Sequence, residues 1–130
     1  MFVLDTNAVI HFFKGKGRVA DRLLATPPDD VALPAIVLYE LERGARKQAG
    51  GDGRIERLAR FIAAVHVLPF DQAAARHAAE IALHLESLGQ SIGPMDTLIA
   101  ATALAQGATL VTHNTNEFAR VPGLKIDDWF

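Results

Sequence analysis

Short apolar runs alternate along the chain with longer stretches in which apolar residues recur every three or four positions. The runs at 2–4, 31–33, 66–68 and 110–112, with a weaker one at 124–126, read as strands. The stretches 18–25, 35–49, 54–65, 71–88 and 95–106 read as helices. Their ends are punctuated: Asp71 suits a helix cap, Pro94 a first helical turn, and the glycine-rich 50–53 a break. Strands alternating with helices predict an α/β domain on a mainly parallel sheet with right-handed crossovers. Ligands of such open sheets bind beyond the carboxyl ends of the strands, near the point where strand order reverses.

Acids fall at that edge. Asp5 closes the first strand, although the run Asp5-Thr6-Asn7 reads equally well as the cap of a following helix. Projecting 36–48 at 100° per residue places Glu40 between Ile36 and Val37, on an apolar stripe completed by Leu41 and Gly44, while Glu42 falls on the other side with Arg46. A carboxylate on a core-facing stripe needs a cation, a metal or hydrogen bonds; pairing with an Arg is the plainer alternative. Asp96 sits in the first turn of a helix that is apolar on nearly every face, where the helix dipole alone also favours it. That helix leads into the fourth strand, so its start belongs on the same edge as Asp5. Asn114 and Glu117 follow the fourth strand. Clustered carboxylates stay ionised together only beside a cation, and all-oxygen donors select hard divalent ions, Mg²⁺ or Mn²⁺. Phosphodiester hydrolysis is the natural chemistry of such a centre.

Composition narrows the setting. A chain of 130 residues, half of them apolar, suits one compact domain over 1–130. The absence of cysteine excludes a disulfide scaffold and thiolate zinc sites and fits a reducing cytoplasm. No basic leader precedes the first apolar run, and no apolar stretch approaches the roughly 18 residues that would span a bilayer, so a soluble cytoplasmic protein is expected. The formal net charge of −2 is unevenly spread: residues 1–60 hold 10 Lys and Arg against 8 acids, and 61–130 hold 3 against 7. Lys14, Lys16, Arg18, Arg43, Arg46, Lys47, Arg54, Arg57 and Arg60 make either a phosphate-tracking surface or ordinary solvated helix faces. His77 and His84 lie two turns apart, too far to share an ion alone; His11 and His66 read as structural, and His113 stands beside the acids. Gly15-Lys16-Gly17 lacks the spacing of a nucleotide-binding P-loop.

The segments "VLDTNAVI", "LYELERG", "GPMDTLIAATALAQGATLVT" and "THNTNEFARVPGLKIDDW" together closely resemble the PIN-domain ribonucleases, specifically the VapC toxins of bacterial toxin–antitoxin pairs. The resemblance spans nearly the whole chain. It implies a Rossmann-like three-layer domain, with a five-stranded parallel sheet of order 3-2-1-4-5 between helices, and a Mg²⁺- or Mn²⁺-dependent endoribonuclease. It also implies a homodimer and inhibition by a VapB-like antitoxin whose C-terminal segment lies in the toxin groove and sets an Arg among the acids. Carried over, the family's first three acids fall on Asp5, Glu40 and Asp96. Where many PIN domains have a fourth acid this chain has Asn114, so Glu117 is taken as that acid and Asn114 as a neutral ligand or orienter. Asp5 and Asp96 are then the expected metal ligands, and Glu40 the group that orients or deprotonates the attacking water. Asn7 and Thr112 are expected to hold carboxylates or waters, and Thr6 to be a capping hydroxyl.

Two rivals remain. An aspartate-phosphorylating domain needs a second acid two residues after the first, where Asn7 stands, or an acidic pair at the first strand end. A PIN-fold RNA- or protein-binding module without catalysis is disfavoured by the complete set Asp5, Glu40 and Asp96.

Overall fold

A computed structural model describes residues 1–47 and 53–130. The last two positions of the expected 35–49 helix, and most of the 50–53 break, lie outside the described residues. Five strands form one parallel sheet: β1 (Phe2–Leu4), β2 (Val31–Pro34), β3 (His66–Leu68), β4 (Thr109–Val111) and β5 (Lys125–Asp127), in the order β3-β2-β1-β4-β5. Among the described residues seven α-helices accompany it, with a 3₁₀ turn at Pro28–Asp30: α1 (Thr6–Lys14), α2 (Val19–Leu24), α3 (Ala35–Lys47), α4 (Arg54–Ala64), α5 (Gln72–Ser87), α6 (Pro94–Ala105) and α7 (Thr115–Phe118). The expected sheet order is the observed one.

Burial explains the strands. All four residues of β2 are buried, as are Val3 and Leu4 of β1 and Leu110 and Val111 of β4, which is how the central strands of a parallel sheet read when both faces are covered. Truncating Leu33 or Leu110 to Ala would cost about 2–5 kcal/mol. The edge strands are more open, with His66 and Val67 exposed. Helix α6 buries Thr97 and every residue from Ile99 to Ala103, and packs on α3, α5, β2 and β4; its run of alanines lets the backbones approach. Asp71 caps α5 by accepting from Ala74 N at 3.0 Å, and Pro94 opens α6, both as expected.

Several boundaries differ from the sequence reading. β4 and β5 begin, respectively, one residue earlier and one later than expected. Thr109 N donates to Met1 O at 3.0 Å and starts the β4 ladder, which leaves Thr112 beyond the strand. The short α7 is not among the expected helices, and α1 answers the reading of Asp5-Thr6-Asn7 as a helix start; α1 ends at Gly15, whose φ of 65° suits glycine and whose N–H meets the carbonyls of His11 and Phe12. The stripe of α3 runs through Val37, Leu41 and Ala45. Gly44 is exposed, because the face between α1 and α4 lies one residue further round than the projection set it.

The C-terminal segment is tied to the front of the sheet. Asp127 Oδ2 accepts from Arg22 Nη2 at 3.1 Å and from Trp129 Nε1 at 3.0 Å, and the buried Trp129 ring lies 5.2 Å from Phe2. Arg18 N donates to Trp129 O at 3.1 Å. Gly17, at φ 62°, sits so close that a Cβ there would come within 2.7 Å of Phe130 Cα.

Candidate active site

Chain direction reverses its progress across the sheet between β1 and β4, and the residues just past both strands are Asp5 and Thr112. Asp5 N donates to Val111 O at 3.0 Å, so the carboxylate leaves the sheet at a fixed point. It caps α1: its Oδ1 accepts from Thr6 N at 2.8 Å. Its Oδ2 accepts from the Thr112 hydroxyl, also at 2.8 Å. The capping reading of Asp5 holds, and a residue just past β4 fixes the other oxygen of the same carboxylate. Only 5% of Asp5 is exposed, and burial raises its pKa above the ordinary value against the pull of the Thr112 and Thr6 bonds, with Glu40 adding repulsion.

Glu40, half-buried on α3, accepts the Thr6 hydroxyl on Oε1 at 2.6 Å. Thr6 is thus not the capping hydroxyl expected of it. It holds an acid from another helix, and the only sequence signal was a hydroxyl beside Asp5. Asp96, in the first turn of α6, is half-buried and pushed up to about 6, by burial first and then by the charges of Asp5, Glu117 and Glu40. A hydrogen bond with Glu117 favours its protonated form. The four acids from α3, α6, α7 and the end of β1 therefore share one electrostatic neighbourhood.

Around them, Asn114 Nδ2 donates to Glu117 Oε2 at 3.1 Å and Asn114 N to Thr112 Oγ1 at 3.0 Å, so Asn114 joins the two residues past β4. Asn7 departs from expectation: it is exposed and its side chain makes no hydrogen bond to the acids, because one step along α1 from Thr6 turns it outward. His113 lies next to Thr112 and is held by Asp128, while His66 stands near Asp29 at 3.8 Å, away from the acids.

The donors are carboxylate oxygens, which fit a hard divalent ion. Among the described residues no three His or acidic side chains gather tightly enough for a protein cage.

Lys14, Lys47, Arg54 and Arg57 rim a groove of about 730 Å³ floored by Ile10, Phe13, Leu41, Ala45 and Leu58, and Lys14, near enough for its charge to act on His11, links that rim to Lys16 and Arg18 by the C-terminal segment. Arg46 is engaged with Glu42 at 3.1 Å.

A parallel sheet in this order, with acids from four segments around its central carboxyl edge, defines a Rossmann-like α/β domain with an acidic active centre. The PIN domain family model matches residues 2–124, and the chain belongs to that family, among its VapC members. It is 34% identical over 128 residues to the tRNA(fMet)-specific endonuclease VapC of Shigella flexneri, covering 98% of this chain and 97% of that protein. Its fold matches, at a TM-score of 0.92 and 30% identity, a chain in the crystal structure of VapBC2 from Rickettsia felis bound to a promoter DNA fragment, covering 99% and 98% of the two chains. A chain of the DNA-bound VapBC from Salmonella typhimurium matches at 0.91 and 32% identity, with coverage of 99% and 98%.

Proposed function

We propose that this protein is a Mg²⁺- or Mn²⁺-dependent endoribonuclease toxin that cuts phosphodiester bonds in tRNA or rRNA and is silenced by a VapB-like antitoxin. The observation that carries the reading is the joint hold on Asp5 by Thr6 and Thr112 beside an Asp96 whose pKa is raised to about 6 by burial first and then by the charges of Asp5, Glu117 and Glu40. Asp5 and Asp96 are the residues that would hold the ion. The chemistry a divalent ion supplies there is neutralisation of the acids and polarisation of a phosphoryl oxygen. Glu40, fixed at Oε1 by Thr6, accepts at Oε2 the proton of the attacking water as its oxygen bonds to phosphorus and the bond to the leaving oxygen breaks, that oxygen taking a proton from solvent to leave as a hydroxyl. Glu117, steadied by Asn114, keeps Asp96 in place.

The antitoxin reading is supported by the solved VapBC complexes and by the groove between α1, α3 and α4. Its apolar floor suits the apolar side of a helix, and its basic rim the acids beside it. A cytoplasmic location and a homodimer complete the proposal. No helix among the described residues is long and apolar enough to cross a membrane, and light scattering at micromolar concentration tests the dimer. The deciding experiment incubates purified protein with total tRNA and rRNA, with Mn²⁺ or with EDTA, and maps the new 5′ ends. Cleavage in a defined loop that EDTA and Asp96→Asn each abolish is expected. Cleavage indifferent to EDTA would overturn the metal, and no cleavage of any RNA the enzyme.

A further inference from the structure

Beside the acids lies an aromatic cluster that the proposed hydrolysis does not use. The His113 ring stacks on Phe130 with centroids 4.2 Å apart and planes 24° from parallel. His11 meets both rings edge-on, at 6.1 Å from His113 and 4.8 Å from Phe130. The stack is held in place at both ends. His113 Nδ1 donates to Asp128 Oδ2 at 3.0 Å, Phe130 N donates to Asp128 Oδ1 at 2.9 Å, and Gly17 allows the Phe130 backbone its close approach. Yet the rings are not core: 53% of the His113 side chain and 42% of Phe130 are exposed.

Position ties the cluster to the site. Both chain neighbours of His113 belong to the acidic centre, Thr112 through Asp5 and Asn114 through Glu117. On α1, His11 and Lys14 lie one turn apart on one face, so a cation follows the rings. Lys14 and Lys16 are near enough for their charges to act on His11, and that of Arg18 on Asp128. Exposed flat rings interleaved with cations are what single-stranded nucleic acid requires: bases stack on the rings while phosphates meet the charges.

We propose that the His113–Phe130 stack, edged by His11, is a nucleobase subsite that receives one unpaired base next to the scissile phosphate, with Lys14 and Lys16 facing the adjoining phosphates. This inference rests on the ribonuclease reading and names how that site grips its substrate. His113 acts as a stacking surface and takes no part in proton transfer, so an aromatic ring of another kind serves equally.

The test uses a single-stranded oligoribonucleotide that the wild type cleaves, and a series in which one base at a time around the cut is replaced by an abasic ribose. His113→Ala is expected to raise KM about ten-fold with kcat within two-fold, and His113→Phe to restore wild-type KM. One abasic position should raise the wild-type KM as much and have no further effect on His113→Ala. 2-Aminopurine at that position should lose fluorescence on binding to wild type and keep it with His113→Ala. Unchanged KM in both His113→Ala and Phe130→Ala, with cleavage intact, overturns the subsite and leaves the ribonuclease standing. Equal KM penalties for every abasic position in wild type and variant overturn it too. Failure of the wild type to bind or cut any RNA overturns both readings together.

Discussion

The Thr6 hydroxyl donates to Glu40 Oε1 at 2.6 Å, so the first residue of α1 grips an acid in the second turn of α3. A hydroxyl donating to a carboxylate at this distance is a short, charge-assisted bond, and it selects one orientation of a long side chain. Thr6→Val keeps the shape and removes the donor. It should lower kcat about 10- to 100-fold with little change in KM, less than the roughly 10²–10⁴ lost on removing a general base outright by Glu40→Gln. Thr6→Ser should stay near wild type. Steady-state cleavage by the three variants decides it, and a wild-type rate from Thr6→Val would show that Glu40 needs no such hold.

Asp5→Asn separates stability from activity. Burial disfavours the Asp5 charge, whereas the neutral amide keeps the bond from Thr6 N but no longer accepts from the Thr112 hydroxyl, so the two effects offset and the metal-free protein should stay within about 1 kcal/mol of wild type at pH 7.5. RNA cleavage should fall by at least about 10³-fold, on the scale of losing an electrostatic catalytic group. In a bacterium, induced wild type should arrest growth and Asp5→Asn should not. Thermal unfolding and a growth curve give the two readouts; equal toxicity would remove Asp5 from the catalytic set.

Stability should also depend on pH at Asp96. Its folded pKa of about 6 lies above the unfolded value of 3.8, so the protonated form favours folding. That contribution is whole below about pH 4 and is lost as pH rises through about 6. Thermal unfolding in EDTA should therefore show Tm declining between pH 5 and 7.5, with a shallower decline in Asp96→Asn. Added Mn²⁺ should raise Tm more at pH 7.5, where the acids are ionised, than at pH 5. An identical Mn²⁺ effect at both values would count against the acids as its ligands.

Thr112→Val tests the other hold on Asp5. The hydroxyl both donates to Asp5 Oδ2 and accepts from Asn114 N, within a residue that is 1% exposed. Removing it leaves two partners short of a bond and should lower unfolding stability by about 1–3 kcal/mol in urea titration. Thr115→Val is a useful control, since that residue is only half-buried and its hydroxyl binds no acid.

What the sequence disclosed depended on how local the determining interaction is. The parallel sheet and the edge that carries Asp5, Asp96 and Glu117 follow from alternating strands and helices, a pattern with a period of a few residues, whereas the strand order is legible only through the resemblance to PIN-domain ribonucleases. Thr6 was misread because its partner is 34 positions away, and a hydroxyl after Asp5 looks the same whether it caps or reaches across. The stripe of α3 slipped from Ala45 to Gly44 because helical projection gives relative angles and says nothing about which neighbouring helix a face meets. Asn7 resembled a helper of the acids by proximity in the chain, yet α1 rotates it away. The Asp128 hold on His113 joins residues 15 apart through the end of β5, beyond any local pattern.

The bond between Thr112 and Asp5 joins residues 107 positions apart and has a consequence in time. A ribosome releases the chain from its N-terminus, so Asp5 and Glu40 emerge long before Thr112, Glu117 and the β4 strand that seats Asp5 beside them. Until those last residues are free of the exit tunnel, α1 has its acid but no centre around it. A chain that stops short of β4 therefore carries Asp5 and Glu40 without the hydroxyl that seats Asp5.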